Sequence, residues 1–224
     1  MNKYTYTSKE SIAGVALAEW TFESQANCKT RVIPDGCRDF IIQESPGEGY
    51  SWFISDLSQS AYMVTASPNQ RMKGMRLQPG IEIRFSALAR WLHNKNPVAL
   101  FGSDQIDEFC IENTQLTVAL DCLASGIPTV QCAANELGIS VRSLQRIVKS
   151  GTQRSPHFWF SLARIRRAGR LLNHYDSLSE AAFVSGFSDQ AHMTREMKKW
   201  FNTTPNQLKV DDEMRTLLCE PGYG

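Results

Sequence analysis

Residues 179–208, SEAAFVSGFSDQAHMTREMKKWFNTTPNQL, leave the chain few choices, because a glycine and a capping residue stand between two helical patterns. Ala181, Ala182 and Val184 supply small apolar residues for a short helix. Gly186 ends that helix, since glycine takes the positive φ that follows a last helical turn at no steric cost. Phe187 can plug the corner, and Ser188 or Asp189 suits the cap of the next helix. There Met193, Met197, Trp200 and Phe201 recur as one apolar stripe. Gln190, Thr194, Arg195 and Lys198 fall on the opposite face, and such groups suit the base edges and phosphates of a major groove. An ordinary solvated helix face carries the same residue types, so a single copy of this pattern decides nothing.

The pattern occurs twice. Thr129 can cap a helix whose Val130, Ala133, Ala134 and Leu137 share one face, and Gly138, Ile139 and Ser140 then make the turn. The helix that follows buries Val141, Leu144, Ile147 and Val148, while Arg142, Ser143, Gln145, Arg146 and Lys149 point away. Between the two copies, Ser155 as cap and Pro156 at the first helical position open a longer helix to about His174. Phe158, Leu162, Ile165, Leu171 and Leu172 are its core candidates. Such a spacer is roughly 28 Å long at about 1.5 Å per residue. That length could set two reading helices about one turn of DNA apart, near 34 Å.

At this point residues 115–210 resemble the DNA-binding domain of the AraC/XylS family of bacterial transcription regulators. The matching segments are ELGIS with SLQRIVK after it, RIRRAGRLL on the spacer helix, and GFSDQAHMTREMKKWFNTTPNQL. The resemblance implies seven helices with two helix-turn-helix units joined by a long central helix. It also places Arg142, Ser143, Gln145, Arg146 and Lys149 on the first reading helix. On the second it places Gln190, Ala191, Thr194, Arg195 and Lys198, all toward bases or the adjacent backbone. Lys149 and Lys198 suit phosphates, because a flexible point charge positions more than it specifies. Arg164, Arg166, Arg167 and Arg170 on the spacer divide between phosphate contacts and structural salt bridges. The chain departs from the family at Met193, Val148 and Met197, where Phe or a similar residue is usual, and at Asn202, where Gly is usual.

Composition supports a nucleic-acid partner only once the chain is divided. The net charge of the whole is +1, but residues 116–210 carry 12 Lys and Arg against 6 Asp and Glu, whereas residues 1–115 carry 11 against 13. Positive charge therefore collects where the reading helices fall, as phosphate binding requires. No apolar run is long enough for a bilayer span, and MNKYTYTSKES lacks the pattern of a secretion signal, so a cytoplasmic location and no membrane partner are expected. The six cysteines have no CxxC spacing and the four histidines no metal-ligand spacing, so no metal or cofactor is expected. No nucleophile, base and orienting group occur together, which argues against an enzyme.

Residues 1–114 read as strands first and helix later. Strand candidates are 16–22, the CRDFIIQ segment after the turn Pro34-Asp35-Gly36, 50–55, 62–66 and 73–77. A short helix around Leu88 to Leu92 and further helical turns over 97–110 follow. VIPDGCRDFII and MKGMRLQPG resemble a β-rich regulatory domain found in some regulators of the same family, which implies effector sensing, dimerisation, or both. Arg38, Trp52 and Arg76 are effector-binding candidates, an Arg to pair an anionic group and an aromatic to supply area. A strand aromatic is more often core, and Asp35, Arg38 and Asp39 around a turn can simply pair with one another.

The expected fold is α+β, with a β-rich domain over 1–114, an all-α DNA-binding domain over 115–210 and an acidic tail over 211–224. Expected partners are double-stranded DNA, a small-molecule effector, a second copy of the chain and, for an activator, RNA polymerase. The competing expectation is an interaction module that acts through protein contacts without DNA.

Overall fold

The computed structural model describes residues 3–11, 14–45, 49–93 and 95–224. The chain forms two compact units. One comprises Met1–Val32, Cys37–Leu57 and Tyr62–Glu112; the other comprises Ile33–Gly36, Ser58–Ala61 and Asn113–Gly224. The class is α+β. Among the described residues no helix is long and apolar enough to cross a membrane.

The first unit is built on a five-stranded antiparallel sheet. Its strands are β1 (Tyr4–Glu10), β2 (Ala16–Ser24), β4 (Asp39–Ser45), β5 (Gly49–Ile54) and β7 (Arg71–Leu77), in the order β1-β2-β7-β4-β5. Strands β3 (Cys28–Val32) and β6 (Tyr62–Ala66) pair separately, as do β8 (Glu82–Ile83) and β9 (Cys110–Ile111). Period-two alternation splits the sheet into two apolar faces. Phe40, Ile42, Met75 and Leu77 pack with Leu88 and Leu92 of helix α1 (Phe85–Leu92), and with Leu100, Ile106 and Phe109 from two short 3-10 turns. On the other face Phe22 packs with Cys28 and Ala66, joined by Tyr4, Tyr6, Trp20 and Met72. Gly74 stands opposite Trp20 across β2 and β7, and a Cβ there would collide with the indole. The strands anticipated from sequence are present; β1, β3, β8 and β9 were not foreseen, being short or polar on their exposed side.

The second unit is helical: α2 (Thr114–Ala124), α3 (Val130–Glu136), α4 (Val141–Thr152), α5 (Pro156–Leu171), α6 (Leu178–Val184), α7 (Gln190–Phe201), α8 (Pro205–Val210) and α9 (Asp212–Cys219). All eight begin on a side-chain cap that the sequence supplies directly. Asn113, Thr129, Ser140, Ser155, Ser177, Asp189 and Thr204 each accept a main-chain N–H from the first turn, satisfying donors that have no partner inside the helix. Asp211 does the same for α9. The spacer helix is shorter than the sequence pattern suggested. It stays α-helical to Leu171, and Leu172–His174 tightens into a 3-10 turn.

Residues 211–224, anticipated as an acidic tail, form α9 and a packed closing segment. Met214, Leu218 and Tyr223 are buried. The Tyr223 ring meets the Trp159 ring edge-on with centroids 4.8 Å apart, and its hydroxyl donates to Leu120 O at 2.8 Å. Burial pushes the Tyr223 phenol above its ordinary pKa. Its main-chain N–H donates to Asp35 O at 2.8 Å, which holds the Pro34-Asp35-Gly36 turn in this unit. Gly36 has φ +75, and a Cβ there would press on Tyr223, Trp159 and Leu162, so glycine is required for conformation and for space.

Trp159 is wholly buried, and its indole N–H donates to Thr152 Oγ1 at 3.0 Å; the Thr152 hydroxyl donates to Val148 O at 2.7 Å. Replacing Thr152 by Val keeps the volume and leaves the Trp159 N–H without an acceptor. The Thr152→Val variant is expected to lose about 1–3 kcal/mol in urea unfolding, and Thr152→Ser to lose much less. Equal stability of the two would show that the hydrogen bond contributes nothing.

Candidate nucleic-acid interface

Helices α3 and α4, and again α6 and α7, are joined by turns of one design. In the first turn Gly138 has φ +65; its N–H donates to Asn135 O, and that of Ile139 to Ala134 O. In the second Gly186 has φ +81; its N–H donates to Phe183 O, and that of Phe187 to Ala182 O. The alanine pairs Ala133–Ala134 and Ala181–Ala182 are buried beneath these turns, where larger side chains would hold the helices apart. The second turn differs by one residue. Ser140 itself caps α4, whereas Ser188 precedes the cap Asp189.

The two second helices match in length and pattern. Both α4 and α7 have 12 residues, and both end on a residue in the left-handed region, Gln153 at φ 58 and Asn202 at φ 55. Their fourth and eighth residues, Leu144 and Val148 in one and Met193 and Met197 in the other, are fully buried. Their sixth and ninth residues are Arg146 and Lys149 in one, Arg195 and Lys198 in the other, and all four are exposed. Methionine in place of the family's bulkier residue still fills the core, because an unbranched side chain adapts to the space available.

The other anticipated contact residues fall on the same two faces. Arg142 and Gln145 of α4 and Gln190 and Ala191 of α7 are exposed. Ser143 is half-buried; its main-chain N–H donates to the Ser140 hydroxyl, and the two hydroxyls lie 3.0 Å apart. Thr194 is also half-buried, and its hydroxyl donates to Gln190 O at 2.8 Å, which commits its donor to the helix. His192 is half-buried in the first turn of α7. Its Nδ1 lies 3.0 Å from the Ser188 hydroxyl and its ring meets Phe187 edge-on, so it braces the corner of the second turn.

All four spacer arginines donate to main-chain carbonyls, an outcome that residue type alone did not reveal. Arg166, fully buried, reaches Pro34 O, Leu218 O and Glu220 O. Arg167 donates to Ala124 O, Arg170 to Gly224 O and Arg164 to Gly186 O. The Arg164 guanidinium also lies over the Phe187 and Phe160 rings at 4.4 and 5.0 Å, and burial lowers its pKa. It therefore ties the second turn to α5.

In the β-rich unit two of the three effector candidates, Trp52 and Arg76, fall on opposite faces of the sheet. Trp52 pairs with Ile42 and packs on the α1 face, its ring 6.0 Å from Phe40 and 5.4 Å from Phe85. Arg76 pairs with Asp39 in register, one residue out of phase with Phe40, and so projects from the opposite face. There its Nε lies 3.4 Å from Asp39 Oδ1, and the Trp20 indole donates to the other carboxylate oxygen at 3.3 Å. Arg38 is half-buried just before β4, and its carbonyl accepts from Leu77 N. Among the described residues no three His, Cys, Asp or Glu side chains gather as metal ligands would.

Two such turn-and-helix pairs on one central helix make a bipartite helix-turn-helix domain. Residues 133–210 match the family model described as a helix-turn-helix domain. The HTH-type transcriptional activator RhaS of Salmonella arizonae is 30% identical over 80 residues, which span 35% of this chain and 29% of that regulator's length. A transcriptional regulator from Chromobacterium violaceum with an AraC-type DNA-binding domain is 26% identical, covering 49% of this chain and 96% of that one at a TM-score of 0.39. ToxT from Vibrio cholerae O395 aligns over 98% of this chain and 99% of its own at 11% identity and a TM-score of 0.47. Residues 133–210 form a helix-turn-helix domain, similar to those of AraC-type regulators.

Asp189 gives this site a pH dependence. Its carboxylate accepts the His192 N–H, and that bond, helped by Ser188 and Arg195, holds it below the usual carboxylate range. A depressed folded pKa adds stability that is present above the unfolded value and lost as pH falls through the folded one. Protection of the first-turn amides of α7 from hydrogen exchange should decline as pH drops below about 4, the ordinary Asp range. Asp189→Asn should flatten that decline, and an unaltered profile would refute the assignment.

Proposed function

We propose that this chain is a sequence-specific DNA-binding transcription regulator in which α4 and α7 enter successive major grooves. The observation that carries the reading is the repeated helix: one length, one buried pair, one exposed Arg and one exposed Lys at matching positions. Solvated surface needs no such repetition, whereas two copies of a groove-reading helix do. Arg146 and Arg195 would each donate a pair of hydrogen bonds to guanine, and Gln145 and Gln190 suit adenine. Ala191 and the methyl group of Thr194, whose hydroxyl is engaged with its own helix, suit the methyl group of thymine. Lys149 and Lys198 take phosphates, and Arg142 lies near the start of α4 for base or backbone. The linker arginines are excluded from this list because their donors serve carbonyls of the domain.

The β-rich unit would modulate this activity through an effector or a second copy of the chain. A pocket joining Trp52 to Arg76 is not part of the proposal, since the sheet separates them; a ligand on either face would meet a different set of residues. RNA polymerase is a partner only if the regulator activates.

The test is selection of DNA from random sequence by the purified chain, followed by affinity measurements on the enriched site. Arg146→Ala and Arg195→Ala should each cost about 1–3 kcal/mol and relax the preference at one base position. Lys198→Ala should weaken all sequences alike and reduce the slope of log affinity against log salt by about 0.9. Retention of no DNA fragment even at low salt would defeat the proposal and favour an interaction module acting through protein contacts.

A further inference from the structure

Asn202 departs from the glycine that the family resemblance implies at the end of the second reading helix. Glycine would meet the conformational need, since the residue sits in the left-handed region at φ 55. Asparagine tolerates that region and adds a carboxamide. Its Nδ2 donates to Ala61 O at 2.6 Å, and the Ala61 N–H donates to Trp200 O at 2.7 Å. Ala61 is thus held through both of its main-chain polar groups by the last turn of α7. One of those bonds satisfies a carbonyl that a helix end leaves open. Both Ala61 and Trp200 are buried, and the Trp200 indole donates to Glu196 Oε2 on the same helix at 3.0 Å. The matching residue of the first reading helix, Gln153, is exposed, and its side chain makes no such bond among the described residues.

We propose that Asn202 is a positioning residue that couples the second reading helix, and not the first, to the segment Ser58–Ala61. That segment follows β5 and leads directly into β6 at Tyr62, so a change along those strands is passed through the chain to Ala61. Asn202 converts the seating of Ala61 into the order of the C-terminal turn of α7, which carries Lys198 and closes the helix bearing Arg195. The half-site read by α7 is thereby adjustable through Ser58–Ala61. The coupling rests on the DNA-reading role proposed above.

The test uses the full chain with Asn202→Gly, which keeps the left-handed backbone at no steric cost, and Asn202→Asp, which keeps the size and loses the donor. The first measurement is hydrogen exchange at the Ala61 amide without DNA, expected to quicken about tenfold or more in both variants. The second is hydroxyl-radical protection of each half-site of the selected DNA. The α7 half-site should need about three- to tenfold more protein, the scale of one lost hydrogen bond, with the α4 half-site unchanged. Unaltered exchange overturns the coupling. So does quicker exchange with both half-sites unaffected or equally weakened, because the contact would then be structural only. If the wild-type chain protects no DNA, the regulator reading fails and the coupling falls with it; unaltered exchange with normal wild-type footprints overturns the coupling alone.

Discussion

The buried indole of Trp159 sets the terms for the helical unit. An indole N–H taken out of water needs an acceptor, and the one it finds, the Thr152 hydroxyl, belongs to the last turn of α4. The same ring receives Tyr223 edge-on and lies against Gly36. Three distant pieces of chain are thus gathered on one side chain of α5, and the direction of α4 follows from how they meet. Arg166, two turns further along α5, repeats the arrangement with charge. Its guanidinium is shared among carbonyls of Pro34, Leu218 and Glu220, so burying it is tolerable only while those segments stay in place.

Against this common base the two helix-turn-helix pairs differ. Their corners use the same glycine geometry and the same buried alanines, which sterics dictates. Their outer faces keep Arg and Lys at matching positions and exchange the residues between them, Arg142 and Gln145 in one for Ala191 and Thr194 in the other. The buried pairs and the Arg and Lys positions are repeated within the chain while the residues beside them differ. A second turn longer by one residue gives α7 a carboxylate cap where α4 has a hydroxyl.

Much of the helical unit was legible because its signals are local. Caps such as Thr129, Ser155 and Asp189, the two turn glycines, and apolar stripes such as Met193 with Met197 are written within a few residues of where they act. What could not be read is the contact that joins residues far apart in sequence. The carbonyl partners of the spacer arginines leave no mark, because every residue has a carbonyl. The packing of α9 and Tyr223 was hidden by acidic neighbours that face water. In the β-rich unit strand positions were readable by alternation, yet which face each strand turned to which core was not. Arg76 and Trp52 therefore looked like neighbours until the register put them on opposite sides.

The helical unit is not a contiguous run of sequence. Arg166 reaches back 132 residues to Pro34, and Asn202 reaches back 141 to Ala61. Contacts of that separation are slow to form, because the loop they close must be ordered before they contribute. During synthesis the two helix-turn-helix pairs can assemble from local contacts as they emerge. The unit's interior, by contrast, stays incomplete until residue 223 has been added. A chain cut short of Tyr223 would carry both helix-turn-helix pairs and leave the Trp159 ring uncovered on the side that Tyr223 fills.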